Sequence, residues 1–315
     1  TGPERTRRLR QIERQIQVLL APQWAEVGRT IRADLDALVV AQSEFLRGLV
    51  VLSLPVAVDF VLPPRERLRE IVTHTPIDGR PLAQLLAGAQ AADRARVMAE
   101  VRTGLLFAET PIQIGRRVFG TQRANGADGV RQTTRRGIQT LANTAVAAIS
   151  AQADAAFARE NASFIALELY VATLDSRTTR ICSSLDGNEY PIGEGPVPPL
   201  HPNCRSRRVP VVDGRSLGNR PAVEATERQL AGLRGPERRA RVRELVGQVP
   251  ARTTYQQWLE GRPASFQDEV LGRTKGRLFR RGELPLDRFV DPTGREYTIE
   301  QLREREPAAF RRAGL

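Results

Sequence analysis

The chain has 315 residues, 41% of them hydrophobic and 27% charged, enough apolar material for one large or two to three modest folded units. Its 48 basic residues outnumber 36 acidic ones for a net charge of +12, with Lys275 the only lysine. This balance favours polyanionic partners, because each neutralised phosphate releases condensed counterions. Two cysteines, Cys182 and Cys204, exclude a disulfide framework and point to synthesis in a reducing compartment.

From the N-terminus, TGPERTRRLRQ is basic but lacks the apolar stretch of a secretory signal. Between Pro3 and Leu54, apolar positions recur at helical spacing: Leu9, Ile12, Ile16, Leu19 and Leu20, then Ile31, Leu35, Leu38 and Val39. A break is expected at Pro22. The run Leu46 to Leu62 is barely long enough for a membrane core and carries Arg47, Pro55 and Asp59. It reads as protein interior, with no stable membrane association expected. From Pro63 to Gly120 the punctuation predicts short helices. Asp78-Gly79-Arg80-Pro81 is a turn with Pro81 in the first turn of the next helix, and Thr110-Pro111 is an N-cap followed by a first helical residue. Ala127 to Glu160 reads as one long helix with an alanine-rich face.

After Asn161 the periodicity changes. Residues 164 to 174 (FIALELYVATL) predict a strand, Asp186-Gly187-Asn188 a turn, and Glu189 to Ile192 a second strand. The proline-rich GEGPVPPLHPN reads as a loop. Residues 205 to 212 predict a third strand, at an edge because Pro210 cannot donate to a ladder. Beyond Asp213 the chain turns arginine-rich and helical. Pro236 opens a helix with a narrow apolar side of Val242, Leu245 and Val246. Ser265 starts a capping motif, Gly272 ends that helix, and Thr298 with Gln301 forms a capping box.

One cluster has chemical potential: Asp175, Cys182, Asp186, His201 and Cys204. His201 and Cys204 are soft ligands three positions apart, with Cys182 upstream at a finger-like separation. Asp175 or water would complete a zinc tetrahedron. A Cys182–Cys204 disulfide formed after release from the cell, or a loop of unligated residues packed for shape, fits the spacing as well. A histidine and metal nuclease centred on His201 would need further cation ligands, and the other histidine, His74, lies in a remote helical segment. The sequence holds no phosphate-cradling glycine loop, HExxH or GxSxG.

At these residues the chain resembles the phage Mu F-like minor head proteins, the head morphogenesis family of tailed bacteriophages. The family signature is a strand ending in TxDxRTCxxC, then LDG and an aromatic, then PPLHPNCRC. This sequence has Thr173, Asp175, Arg177, Thr178, Cys182, Leu185-Asp186-Gly187, Tyr190 and the run Pro198 to Arg205. Thr179 and Ser206 stand where the family has two further cysteines. Residues 253 to 303, with YQQWL, FQDEVLG, LFRRG and LPLDRFVD, are similar to the tail of such proteins.

The resemblance implies a virion structural protein, made in the host cytoplasm and lodged inside the capsid near the portal. Its implied partners are the portal protein, the major capsid or scaffolding protein, and packaged double-stranded DNA held without sequence preference. No cofactor is expected unless zinc is retained, and no enzymatic activity; the alternative is a metal-dependent nuclease or effector at His201. The phosphate-binding candidates are Arg234, Arg238, Arg239, Arg241, Arg243, Arg273, Lys275, Arg277, Arg280 and Arg281. The expected fold is α+β and predominantly α-helical, with long helices around a small, mostly antiparallel three-stranded sheet. Its regions are an N-terminal helical part (1–120) for partner docking, an α+β core (121–215) and a basic helical tail (216–315).

Overall fold

The structure, a computed structural model, describes residues 2–54, 58–212, 218–226 and 228–315, and all their side chains except those of residues 2–6 and Ser53. Pro55 and Asp213 lie outside the described residues. The chain folds into two compact units. One comprises Thr1–Gln42, Pro64–Ala153 and His201–Asn203; the other comprises Ser43–Pro63, Asp154–Leu200 and Cys204–Leu315.

The first unit is helical. It takes the larger part of α1 (Gly2–Ser53), then α2 (Arg65–His74), α3 (Leu82–Leu106), α4 (Pro111–Phe119) and most of α5 (Arg131–Glu160). Leu20 and Trp24 of α1 pack with Val97 of α3 and Val118 of α4, and Ile138 of α5 joins them. The expected break at Pro22 does not occur, since α1 runs through it. Proline costs the helix one amide donor, but Leu20 and Trp24 on either side are anchored in the core and hold both flanking turns. Asp93 is fully buried in this unit, accepting hydrogen bonds from Trp24 Nε1 (3.1 Å) and Thr134 Oγ1 (2.6 Å), with Arg131 at 3.5 Å. The Thr110 cap is present as a full capping box with Gln113, whereas Pro81 is the N-cap of α3 and not part of its first turn.

The second unit holds the sheet. Strands β1 (Ile165–Val171), β2 (Glu189–Pro191) and β3 (Arg207–Val212) pair antiparallel in the order β2-β1-β3, with the short α6 (Arg180–Leu185) between β1 and β2. Pro210 lies on an edge strand, as its missing donor requires. Against this sheet the apolar run finds its place: Leu46, Val50 and Phe60 pack with Phe157, Ala158, Ile165 and Val212. Asn161 staples the run by donating to the Val61 carbonyl (2.9 Å) and accepting from the Val61 N–H (2.8 Å). Among the described residues no helix is long and apolar enough to cross a membrane.

The remainder of this unit is not purely helical. A two-stranded antiparallel sheet, β4 (Asn219–Val223) with β5 (Val246–Pro250), flanks α7 (Gly235–Glu244). The sequence reads this stretch as arginine-rich and helical, and the β4–β5 pair corrects that. The sheet is held because Ala222 and Arg220 are buried. Then α8 (Tyr255–Glu260), α9 (Ala264–Leu271), α10 (Arg273–Arg281), α11 (Ile299–Arg305) and α12 (Pro307–Ala313) close around Tyr255, Trp258, Phe266, Leu278, Phe289 and Phe310. The Thr298–Gln301 capping box forms. Ser265 lies inside α9, which Pro263 caps, so the buried Gln267 serves the preceding helix instead, donating to the Leu259 (2.8 Å) and Arg262 (2.9 Å) carbonyls. The predominantly helical α+β architecture is thus as the sequence implied.

Candidate functional site

The signature residues converge on the second unit, where each polar one is committed to holding the chain. Asp186, at the end of α6, accepts hydrogen bonds from the Ala172 N–H after β1 (2.5 Å) and the Tyr255 N–H opening α8 (2.5 Å). Arg220 of β4 grips both of its oxygens, at 3.0 and 2.9 Å, and also donates to the Ala172 and Thr253 carbonyls. One buried ion pair therefore joins four elements. Burial raises the Asp186 carboxyl pKa, and the Arg220 contacts pull against that shift. The following Gly187 adopts φ +90°, and a Cβ there would lie 2.6 Å from Thr254 Cγ2. Only glycine meets both demands.

Asp175 makes the second knot. Arg205 binds it through both guanidinium NH2 groups, and the Arg177 N–H (3.0 Å) and Thr178 hydroxyl (3.2 Å) donate to it. Burial would raise its carboxyl, but the Arg205 hydrogen bonds and charge, with Arg177, more than offset this and hold it below the usual aspartate range. The third knot, which residue spacing does not reveal, pairs Glu168 of β1 with Arg208 of β3 at 3.1 Å, both side chains 3% exposed. Arg208 also donates to the Tyr190 and Pro191 carbonyls (3.3 and 3.2 Å) and lies 5.0 Å from the centre of the Tyr190 ring. Burial raises the Glu168 carboxyl against the pull of Arg208 and Arg159. A hint of this was available: Glu168 interrupts an apolar strand, and a buried carboxylate requires a partner.

The structure brings Cys182 of α6 and Cys204 together, with sulfur atoms 3.7 Å apart and no disulfide. Both are buried beside Tyr170 and Ala172, among Ile181, Leu185 and Leu200. The Tyr170 hydroxyl donates to Cys182 Sγ at 3.5 Å. The hydrogen bond to Cys204, then burial, raise the Cys182 thiol well above its ordinary value. His201, in the three-residue segment that belongs to the first unit, has Nδ1 2.9 Å from the Pro202 carbonyl. A carbonyl only accepts, so in this contact Nδ1 is the donor. Asp175 Oδ atoms are spent on Arg205, and His74 ends α2, exposed at the surface.

The phosphate-binding candidates divide. Helix α7 buries none of its residues: Arg239, Arg241 and Arg243 are exposed and Arg238 is half-buried, and Arg234, the residue before it, is exposed. Its expected apolar side of Val242, Leu245 and Val246 therefore has no core to join. Arg241 meets Glu244 at 3.0 Å on the surface. On α10, Arg273 and Arg281 are exposed, while the others turn inward. Lys275 reaches Glu296 and the Tyr297 carbonyl at 2.7 Å each, Arg277 the Gly314 carbonyl at 3.1 Å, and Arg280 reaches Asp268 at 2.8 Å. Within the first unit, Arg32, Arg65 and Arg69 line a cleft of about 450 Å³ and make no ion pair among the described residues, a basic cleft that no run of charge in the sequence marks.

The fold and its knots define a helix-dominated α+β protein whose signature residues secure its own backbone. Residues 90–209 match the family described as Phage Mu protein F like protein. Over that segment, which is less than half of the chain, the protein is similar to the Mu F-like proteins. The matched segment holds the Asp175 and Glu168 pairs and Asp186, while Arg220, Thr253 and Tyr255 of the first knot and the tail lie outside it. No curated protein and no solved structure matches the chain.

Proposed function

We propose that the protein is a structural minor head protein that docks on the portal inside the capsid and holds packaged DNA through distributed arginines, without catalysing a reaction. The observation that carries the reading is α7, a helix with no buried residue and three exposed arginines, preceded by the exposed Arg234. A helix that contributes nothing to its own core is maintained for a partner, and guanidinium groups spread around it suit a phosphate backbone and not a base edge. Docking on a protein ring is supported by apolar side chains left at the surface of the first unit: Leu106 is 80% exposed, Phe107 71% and Ile112 70%. Exposed apolar clusters of this kind mark protein contacts. Major capsid or scaffolding protein is the further partner implied by head assembly.

Filter binding to unrelated duplexes tests the DNA half. Weak, sequence-indifferent affinity is expected, with log K falling linearly against log salt. Replacing Arg239, Arg241 and Arg243 by alanine should flatten the slope by about 0.9 for each phosphate that is no longer neutralised. No binding at low salt would refute it.

The second reading is a metal-dependent nuclease or effector at His201. It is supported by the soft ligands Cys182 and Cys204 near it in sequence and weakened by Asp175, whose carboxylate is already engaged by Arg205. Metal-dependent cleavage abolished in His201→Ala would establish it in place of the structural role.

A further inference from the structure

The cleft lined by α1 and α2 lies wholly within the helical unit. We propose that it is a second phosphate-binding surface, on which Arg32, Arg65 and Arg69 hold the backbone of duplex DNA. The inference rests on the DNA half of the proposed function and gives it a site apart from α7.

Residue spacing builds the cleft. Arg65, Arg69 and Thr73 stand at i, i+4 and i+8 on α2, so they form one row along a single face. Arg32 and Asp36, four apart on α1, line the same space of about 450 Å³. Val39 and Leu68 line it with them and are buried, at 1% and 4% exposure. An apolar lining thins the water around the guanidinium groups and strengthens their pull on an anion.

All three arginines are exposed, and none makes an ion pair or a side-chain hydrogen bond among the described residues. Elsewhere in the same unit exposed arginines do meet carboxylates: Arg29 pairs with Glu26, Arg67 with Glu70 at 3.2 Å and Arg80 with Asp78 at 3.6 Å. Arg65 and Arg69, like charges four apart on one helix, repel each other. Arg65 also opens α2, where a cation opposes the helix dipole. The free protein loses stability by this arrangement, and an anion seated in the cleft restores it.

Charge sets the class of ligand. Three guanidinium groups share the cleft with one carboxylate, Asp36, which leaves two positive charges there. Two singly charged phosphodiesters match them. Arg65 and Arg69 are about 6 Å apart along the helix axis, and consecutive phosphates of one strand advance about 3.4 Å along a duplex, so the row is long enough to meet two neighbours. The Thr73 hydroxyl is committed to the Arg69 carbonyl at 3.0 Å, which leaves guanidinium forks suited to backbone oxygens. The net charge of +12 draws a long polyanion to the molecule before local contacts form, which favours DNA over a short acidic segment.

The test compares salt slopes of duplex binding by the full chain. Arg32→Gln/Arg65→Gln/Arg69→Gln should flatten the slope of log K against log salt by about 1.8, for two phosphates no longer neutralised. Arg29→Gln/Arg67→Gln/Arg80→Gln removes the same charge from arginines already paired and should change the slope by less than one phosphate's worth, about 0.9. Asp36→Asn, which removes the opposing carboxylate, should tighten binding about fivefold. These are surface changes, and unchanged thermal midpoints verify that the variants fold. A slope identical in the wild type and the cleft triple variant overturns the inference and leaves the DNA reading intact. Wild-type protein that binds no duplex at low salt removes both. Polyglutamate binding lost in the cleft variant while its duplex affinity is unchanged assigns the cleft to an acidic protein, and inorganic phosphate that displaces duplex at constant ionic strength assigns it to a free anion; either result overturns the proposal.

Discussion

Asp186 shows what one buried carboxylate can carry. It receives two backbone N–H groups and both arms of Arg220 with a fully buried side chain. Asp186→Ala would leave the Arg220 guanidinium buried without its counter-charge, a change that costs roughly 3–5 kcal/mol. Urea unfolding should show this as a lowered midpoint with an unchanged slope. The double variant Asp186→Leu/Arg220→Met should recover part of the loss, because it removes both charges together. A merely local interaction would give neither the large single effect nor the recovery.

Asp175 gives a pH signature with a definite sign. Its folded-state pKa is depressed, chiefly by Arg205 working against burial. Below about 3.8, where an ordinary aspartate protonates, the unfolded chain takes up a proton that the folded chain still refuses. The stability it contributes is therefore present above that value and lost as pH falls through the lower folded-state pKa. Unfolding midpoints of the wild type and Asp175→Asn, compared from pH 6 downward, should differ most near neutrality and converge in acid. Parallel curves would show that the Asp175–Arg205 pair is energetically idle.

At the scale of elements, α5 and the run after α1 explain each other. The last turns of α5 present Phe157 and Ala158 to Leu46, Val50 and Phe60, and the Phe60 and Phe157 rings stack with centroids 6.0 Å apart. Phe157→Ala should cost about 3–5 kcal/mol, read by thermal or urea unfolding. A loss under about 1 kcal/mol would mean that this apolar run is not core in solution. Helix α7 behaves oppositely. It has no core to lose, so alanine replacements of its exposed arginines should leave stability within about 0.5 kcal/mol. The same variants can therefore report on DNA contact without a folding artefact.

For the whole molecule, the net charge of +12 is not spread evenly over available and committed groups. Arg205, Arg208, Arg220, Lys275 and Arg280 are spent on internal carboxylates, whereas the α7 arginines and those of the cleft at Arg32, Arg65 and Arg69 face outward. The outward-facing positive surface is smaller than composition suggests. The salt slope of DNA binding, which counts neutralised phosphates, should reflect that smaller number.

Much of the protein was determined locally and could be read from residue order. Helix periodicity, the caps at Thr110 and Thr298, the strand at 164–174 and the edge position of Pro210 all follow from interactions within a few positions of sequence. The signature residues at 173–205 carried the family resemblance by their order alone, and the matched segment 90–209 contains them. What the amino-acid order could not fix was the partner of each charge. Asp175 and Asp186 looked like ligands or catalysts because their arginines lie 30 and 34 positions away. Glu168 and Arg208 drew no notice for the same reason. Pro22 and the β4–β5 pair were misread because burial of Leu20, Trp24, Arg220 and Ala222 outweighs local propensity. Long-range pairing and burial energies, each worth more than any propensity, exist only once the chain has closed on itself, and that is the part tertiary structure decided.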